Sequence, residues 1–200
     1  MGDIAATRAF FGPRAAGWED KFPEDGPAYQ RAVDELAVPV AGAVLDAACG
    51  TGRAIEPLRA AVGPAGTVIA VDVTVEMLTE AARRGRGGLV LADATRLPLR
   101  DASLDAVFAA GLLPHLRDTE GGLSELARVA RTGARLALFH PVGRAALARK
   151  HGHELAADDI RAEPRIRAAL AATGWRCESV DDADERYLVL AVREKIKPTI

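Results

Sequence analysis

Apolar positions along the chain follow two alternating patterns. Short apolar runs alternate with longer segments in which apolar residues recur at three- and four-residue spacing. The first pattern is typical of buried β-strands and the second of amphipathic helices. Strands are predicted at about 42–47, 67–72, 88–93, 104–110 and 134–139. Strands and helices that alternate in this way predict a parallel sheet with helices on both faces.

Helices are predicted from the same spacing and from residues that start or end a helix. They run from Pro27 through Leu36, over about 53–62, from Val75 through Ala82, from Leu123 to the Thr132-Gly133 pair, and from Pro164 to Gly174. In the third of these, Val75, Leu78 and Ala82 are expected to face the core. The fourth is expected to continue through Ala130, because that residue extends the apolar spacing.

The end of the chain departs from this alternation and predicts a pair of strands. Residues 175–180 and 187–193 are separated by an acidic turn that is too short for a crossover helix, so the two strands must be antiparallel. Residues 188–192 are apolar throughout, which indicates burial on both faces of the sheet.

The first 26 residues, called here the N-terminal arm, lack a clear period. They contain Phe10, Phe11 and Trp18, in a chain that is only 4% aromatic. Two interpretations are open: the rings fill one edge of the core, or the arm is a lid over a ligand site. Residues 27–200 are predicted to form the single domain that the arm precedes.

Composition narrows the class of protein. Two hundred residues suit one domain, and a net charge of −2 gives no general attraction to nucleic acid or to anionic lipid. Two cysteines are too few for a disulfide framework, and neither a membrane-spanning run nor a signal-peptide core is found, so a cytoplasmic protein is expected. The basic cluster 83–86 is typical of a solvated helix end.

One stretch, residues 44–53, carries the chemistry. An apolar strand ends in Asp46, and small residues with Gly50 and Gly52 follow before a helical pattern begins. Glycine lets the backbone turn sharply and approach a ligand, and a helix N-terminus presents free N–H groups. The dinucleotide fingerprint Gly-x-Gly-x-x-Gly is incomplete, because its third glycine position is Ile55. The Gly-Lys-Ser/Thr of a phosphate-binding loop is absent.

The stretch instead resembles the first motif of class I S-adenosylmethionine-dependent methyltransferases, hydrophobic-Leu-Asp-x-Gly-Cys-Gly-Thr-Gly. The chain matches it at Leu45, Asp46, Cys49, Gly50, Thr51 and Gly52. It departs at the first glycine, which is Ala48. The resemblance implies a three-layer α/β/α Rossmann-like methyltransferase fold, with a seven-stranded, mostly parallel sheet whose last strand is antiparallel.

The resemblance also implies which residues hold the cofactor, S-adenosylmethionine, or its product S-adenosylhomocysteine. Asp46 would accept from the methionine ammonium and Asp72, 20 residues after Gly52, from the ribose hydroxyls. Asp93 would accept from the adenine amino group, although it could instead form an Asx-turn. The cofactor-binding residues implied are Asp46, Ala48, Cys49, Gly50, Gly52, Asp72, Val73, Met77, Asp93, Ala94, Ala110 and Gly111.

Histidines supply the candidate catalytic bases, His140 beyond the fifth strand and His115 after the fourth. No metal site is expected, although His151 and His153 form a His-x-His pair. The short segments between strands leave room for a small-molecule acceptor rather than a protein or nucleic acid, in a monomer or homodimer. Two alternatives remain: an NAD(P)-dependent Rossmann oxidoreductase, and a protein that binds S-adenosylmethionine without catalysis.

Overall fold

The computed structural model describes residues 4–156 and 158–195. The helices are α1 Ile4–Phe11, α2 Gly26–Leu36, α3 Ile55–Val62, α4 Val75–Arg83, α5 Thr119–Val129, α6 Arg144–Lys150 and α7 Glu163–Ala172. The strands are β1 Ala43–Ala47, β2 Thr67–Asp72, β3 Leu89–Leu91, β4 Leu104–Ala110, β5 Ala130–His140, β6 Trp175–Ala183 and β7 Arg186–Arg193.

The strands form one seven-stranded sheet in the order β3-β2-β1-β4-β5-β7-β6. Strands β1 to β5 are parallel, and β7 lies between β5 and β6 and is antiparallel to both. The fold class predicted from the sequence is confirmed, including the antiparallel last strand. Because β1 is central and its neighbours on either side are β2 and β4, the connections diverge at its carboxyl end, where open α/β sheets bind ligands.

Apolar side chains cover both faces of the sheet. On one face, α2 and α3 pack against strand residues that include Phe108 and Phe139. On the other face, α5 and α7 pack around Leu136 and Trp175, whose indole N–H donates to the Leu123 carbonyl oxygen at 3.0 Å. Helices on both faces account for the three layers, and burial on both faces accounts for the uninterrupted apolar sequence of β7.

The junction between α5 and β5 differs from the sequence prediction. The helix ends at Val129 and the strand already begins at Ala130, whereas the spacing of apolar residues predicts helix through Ala130 and a strand from Ala134. Ala130 is buried because it pairs with Leu104 of β4, and the Ser103 N–H donates to the Val129 carbonyl. Pairing with β4 therefore places Ala130 in the strand. Its position in the helical spacing of apolar residues is a coincidence, because a buried strand residue is apolar as well.

The N-terminal arm does not fill an edge of the core. No residue of α1 is buried, and Ala15 is the one fully buried apolar side chain between residues 4 and 25. Residues 12–17 instead pack beside α4, where the Glu76 carboxylate lies next to Gly12. Residues 1–3, which belong to the predicted arm, and residues 196–200, at the end of the predicted domain, lie outside the described part of the chain.

Candidate active site

A cavity of about 700 Å³ lies at the carboxyl ends of the parallel strands and extends beneath the arm. This volume falls in the range of small-molecule sites. Of the twelve cofactor-binding residues implied by the sequence, eleven line this cavity, and so do both candidate catalytic histidines. The exception is Gly52, which does not line it. Its φ is +84°, and a Cβ at this position would collide with the Ile55 side chain, so Gly52 serves the turn into α3.

The loop after β1 has the backbone shape that the motif requires. Ala48 and Gly50 have φ values of 59° and 55°, in the left-handed region that favours glycine. A left-handed backbone at Ala48 explains why the motif has glycine there, and the Ala48 methyl group is accommodated at the cavity wall. The loop is held by the Cys49 N–H, which donates to the Val71 carbonyl at 2.9 Å.

Asp46 is the most unusual group in the site. Its side chain is 1% exposed, and neither carboxylate oxygen has a hydrogen-bond partner in the described part of the chain. Burial, reinforced by the nearby charge of Asp72, raises the pKa of Asp46 to about 8. A buried carboxylate with no donor is costly unless a ligand supplies one. The ammonium group of a methionine moiety is such a donor, so this residue fits the cofactor that the sequence implies.

Asp72 is already partly engaged. Its carboxylate accepts from the Gly50 N–H at 2.8 Å and from the Thr74 N–H at 2.7 Å. Burial raises the pKa of Asp72, while these backbone donors act in the opposite direction. The residue also lines the cavity, and each carboxylate oxygen can accept more than one hydrogen bond. Asp72 therefore also braces the glycine loop against β2.

The adenine end of the predicted site lies between β2 and β3. Met77 is buried at its base, and the Val73 carbonyl accepts from the Arg8 side chain of the arm at 2.8 Å. Asp93 accepts from the Thr95 N–H at 2.8 Å, which is the Asx-turn considered from the sequence. One carboxylate oxygen makes that turn, and the residue still lines the cavity beside Ala94. The turn and the cofactor-binding role are thus compatible.

His140 is the last residue of β5 and faces the cavity. Its Nδ1 is within 2.7 Å of the Val142 carbonyl oxygen and 3.1 Å of the Val142 nitrogen, so Nε2 is the ring nitrogen left for a ligand. Burial and the positive charges of Arg161 and Lys150 lower the pKa of His140 below 6.5. At neutral pH the ring is therefore uncharged and able to accept a proton.

The other histidines differ in position. His115 follows β4, and its ring meets the Phe11 ring of the arm edge-on at 5.0 Å. His151 lines the cavity and its neighbour His153 does not. In the described residues, no three His, Cys, Asp or Glu side chains gather as metal ligands would.

The arm is fastened to the glycine loop by charged groups that the sequence did not single out. Glu19 accepts from the Thr51 hydroxyl at 2.8 Å and pairs with the Arg86 guanidinium, and Arg84 lies 3.7 Å away. Although burial opposes it, these donors hold the pKa of Glu19 below its usual value. Arg53 donates to the Phe22 and Glu19 carbonyl oxygens.

The basic cluster 83–86 is therefore not simply a solvated helix end. Arg86 is 12% exposed, because its guanidinium also donates to the Thr51 carbonyl at 2.7 Å. Nothing in the local sequence distinguishes Arg86 from its solvated neighbour Arg83, which is 70% exposed. The difference comes from two distant partners, the Glu19 carboxylate in the arm and the Thr51 carbonyl in the loop after β1.

Comparison with known proteins agrees with this geometry. Residues 45–138, from β1 to β5, match a family model described as a methyltransferase domain. The resemblance seen in the sequence motif is confirmed, and the matched range contains Asp46, Asp72 and Asp93.

Curated proteins match the chain at moderate identity. The chain is 35% identical over 111 residues to a ubiquinone/menaquinone biosynthesis C-methyltransferase of Hahella chejuensis, covering 52% of this chain and 45% of that protein. It is 36% identical over 130 residues to a demethylmenaquinone methyltransferase of Mycolicibacterium paratuberculosis, covering 64% and 53%. The chain thus spans about half the length of these relatives.

The same fold is found in solved structures. A SAM-dependent methyltransferase from Aquifex aeolicus superposes with a TM-score of 0.71 at 22% identity, over 96% of this chain and 100% of that chain. At this identity the likeness concerns the fold of the methyltransferase domain. No helix among the residues that the structure describes is long and apolar enough to cross a membrane.

Proposed function

We propose that this chain is an S-adenosylmethionine-dependent methyltransferase that acts on a small-molecule acceptor. The observation that carries the proposal is the buried Asp46 carboxylate, which has no donor and lies on the wall of a cavity large enough for a cofactor. The match to a methyltransferase domain supports this function over the nicotinamide-dependent oxidoreductase that the sequence left open.

The cofactor would supply a methyl group on a positively charged sulfur, so the protein has to position its partners and control charge. Asp46 would accept from the ammonium, Asp72 from the ribose hydroxyls, and the oxygen of Asp93 that is free of the Asx-turn from the adenine amino group. Gly111 and Ala110, at the end of β4, would meet the cofactor through the backbone.

His140 would act on the acceptor rather than on the cofactor. Its neutral ring can take a proton from an acceptor hydroxyl or amine as the new bond to carbon forms. Its fixed Nδ1 contact with Val142 holds the ring in place while Nε2 remains available. His115, which touches the arm residue Phe11, would contribute to substrate contact at the opposite wall.

The arm would be a lid. Phe11 and Trp18 line the cavity instead of the core, and Glu19 fastens the arm to the cofactor loop. A lid of this kind excludes water and completes the site. A cytoplasmic location for the enzyme is inferred from the free cysteines Cys49 and Cys177, which suit a reducing compartment.

Calorimetric titration tests the proposal directly. S-adenosylhomocysteine should bind with a dissociation constant of about 1–100 μM, and NAD should give no heat at the same concentrations. Transfer of a labelled methyl group from S-adenosylmethionine to any small molecule then separates an enzyme from a protein that only binds the cofactor. A titration without heat up to millimolar S-adenosylhomocysteine would contradict the proposal.

A further inference from the structure

Charge is divided between two sides of the cavity. The strand ends contribute the acids Asp46, Asp72 and Asp93, which form the predicted cofactor side. The arm, α6 and the segment before α7 contribute the lining residues called here the second wall, whose two lysines are Lys21 in the arm and Lys150 at the end of α6. Neither lysine makes an ion pair with another residue in ranges 4–156 and 158–195.

The same wall carries a continuous row of aromatic rings. Phe10 meets Phe11 at 4.9 Å between ring centroids, Phe11 meets Trp18 at 5.3 Å, and Trp18 meets Phe22 at 5.4 Å. All four rings line the cavity. Lys150 lies at the Phe22 end of the row, with its Nζ 5.6 Å from the ring centroid.

A third cation lies on the side of the row nearest the candidate base. Arg161 lines the cavity with His140 and is held by Asp159, whose carboxylate accepts from the guanidinium at 2.9 Å and 3.0 Å. The arm, α6 and the segment before α7 thus each bring a cation to the wall that the predicted cofactor side leaves free. Acids on that wall are fewer, and Asp25 is paired with Arg53 at 3.1 Å.

We propose that this wall binds the methyl acceptor as a planar aromatic molecule that carries a negatively charged group. The aromatic body packs against Trp18 and Phe22, and the negative group is bound by Lys150 and Lys21. Aromatic faces prefer flat partners, and a lysine at the edge of an aromatic surface attracts a carboxylate or phenolate. The proposal rests on the methyltransferase function above and names the substrate class of the same site.

The alternative use of the cations is that they serve the carboxylate of the cofactor itself. Lys150 belongs to the last turn of α6, whereas Arg53 follows the glycine loop directly along the chain. Both cations lie beside the Phe22 ring, with the Lys150 Nζ 5.6 Å and the Arg53 guanidinium 5.7 Å from its centroid. The effect of Lys150→Gln on S-adenosylhomocysteine affinity decides between the two uses.

The test uses the full chain saturated with S-adenosylhomocysteine and three probes. 2-Naphthoate has a flat ring system and a charge, 2-naphthylmethanol has the ring system alone, and cyclohexanecarboxylate has the charge alone. Calorimetry should show 2-naphthoate binding at least about tenfold tighter than either comparator, the usual worth of one hydrogen bond to a charged group. Equal affinity for 2-naphthylmethanol or for cyclohexanecarboxylate would overturn the proposal.

A pair of neighbouring cations provides the matched variants. Lys150→Gln should weaken 2-naphthoate about tenfold and leave S-adenosylhomocysteine and 2-naphthylmethanol unchanged. Arg149→Gln removes the same charge from the same helix, but Arg149 pairs with Asp184 and does not line the cavity, so 2-naphthoate should bind normally.

The outcomes separate the two proposals. Equal losses of 2-naphthoate affinity in Lys150→Gln and Arg149→Gln would mean that only the overall charge of the protein matters. If Lys150→Gln weakens S-adenosylhomocysteine as much as it weakens 2-naphthoate, the lysine belongs to the cofactor site. Either result overturns the aromatic-anion site and leaves the methyltransferase function standing. Failure of the unaltered protein to bind S-adenosylhomocysteine overturns both.

Discussion

Replacing Asp46 by asparagine should stabilise the protein without ligand and weaken its binding of cofactor. The side chain is 1% exposed with a pKa of about 8, against 3.8 for an ordinary aspartate. A carboxyl whose pKa is raised on folding binds more protons when folded, so stability is greatest below pH 3.8 and falls as the pH rises towards 8. Between 3.8 and pH 7 this loss amounts to about 4 kcal/mol.

Asparagine has nearly the same shape and cannot ionise. Its own amide N–H groups are left without partners in the same place, which costs about 1–3 kcal/mol. The net expectation for Asp46→Asn is a gain of about 2 kcal/mol in the free energy of unfolding at pH 7, measured by urea denaturation without ligand. The gain should disappear as the pH falls towards 4, because the aspartate of the unaltered protein is then protonated in the folded state and about half protonated in the unfolded state.

Binding should change in the opposite direction. Loss of a hydrogen bond between an ammonium and a carboxylate costs about 1.5–3 kcal/mol, so S-adenosylhomocysteine should bind about 10- to 100-fold more weakly. The ligand ammonium requires Asp46 to be ionised, and at pH 7 a group with a pKa of about 8 is mostly protonated. Binding at pH 7 should therefore release a proton from Asp46, seen as a dependence of the calorimetric enthalpy on the ionisation enthalpy of the buffer.

The two effects together identify the role of the residue. Asp46→Asn should release no proton from this position, whereas Asp20→Asn, an exposed arm residue outside the cavity wall, should release the same proton as the unaltered protein. The reasoning is refuted if Asp46→Asn is less stable than the unaltered protein at pH 7, or if it binds S-adenosylhomocysteine with unchanged affinity and unchanged proton release.

Other variants test the arm, the base and the loop. Glu19→Gln should lower the affinity for S-adenosylhomocysteine about tenfold. Glu24 is exposed and outside the cavity wall, so Glu24→Gln should leave this affinity unchanged. Equal effects of the two variants would argue against a role of Glu19 in holding the arm on the cofactor loop. Trp18→Phe should abolish the ligand-induced change in tryptophan emission, and a change that survives unaltered would rule out a lid. His140→Gln should leave the affinity for S-adenosylhomocysteine within about twofold and lower turnover by about 10²- to 10⁴-fold. In the unaltered enzyme, turnover should fall on the acid side with a midpoint below 6.5, and a midpoint above 6.5 would contradict a neutral base. Ala48→Gly should raise the urea midpoint by the equivalent of about 0.5–1 kcal/mol, since relief of left-handed strain exceeds the entropy that glycine adds. A clear loss of stability would show that the methyl group packs favourably.

The sheet could be predicted from the sequence because its signals are local. Each parallel strand is a short apolar run, and the run over 67–72 became β2 with the same limits. Helix faces were predicted less well. In α4 the structure buries Met77, Leu78 and Ala81, whereas two residues expected to face inward are exposed, Val75 at 52% and Ala82. Val75 is the first helical residue and stands at the surface, so the buried face is shifted around the helix.

That Asp46, Asp72 and Asp93 line one cavity could be predicted because these acids follow strand ends, which parallel pairing brings to one edge of the sheet. The arm contacts could not. Glu19 and Arg86 are ordinary charged residues in sequence, and only the path of residues 12–17 beside α4 brings them together. The lack of hydrogen-bond donors around the buried Asp46 carboxylate could not be predicted either, because it depends on how the whole structure packs.

The two lysines at the cavity also allow the site to be labelled selectively by a chemical reagent. The chain has 26 basic residues, but only four are lysines, and the other two, at 195 and 197, are among the last six residues. Arginine supplies the cations of the ion pairs found in the described residues, where its planar group forms fixed pairs, while lysine remains a mobile primary amine. An amine-selective acylating reagent should therefore label Lys21 and Lys150 at the cavity, and the other amines open to it are the two lysines at 195 and 197 and the α-amino group of the chain. Protection of those two amines by a candidate acceptor would give a footprint of the bound molecule, read by mass spectrometry without any knowledge of the product.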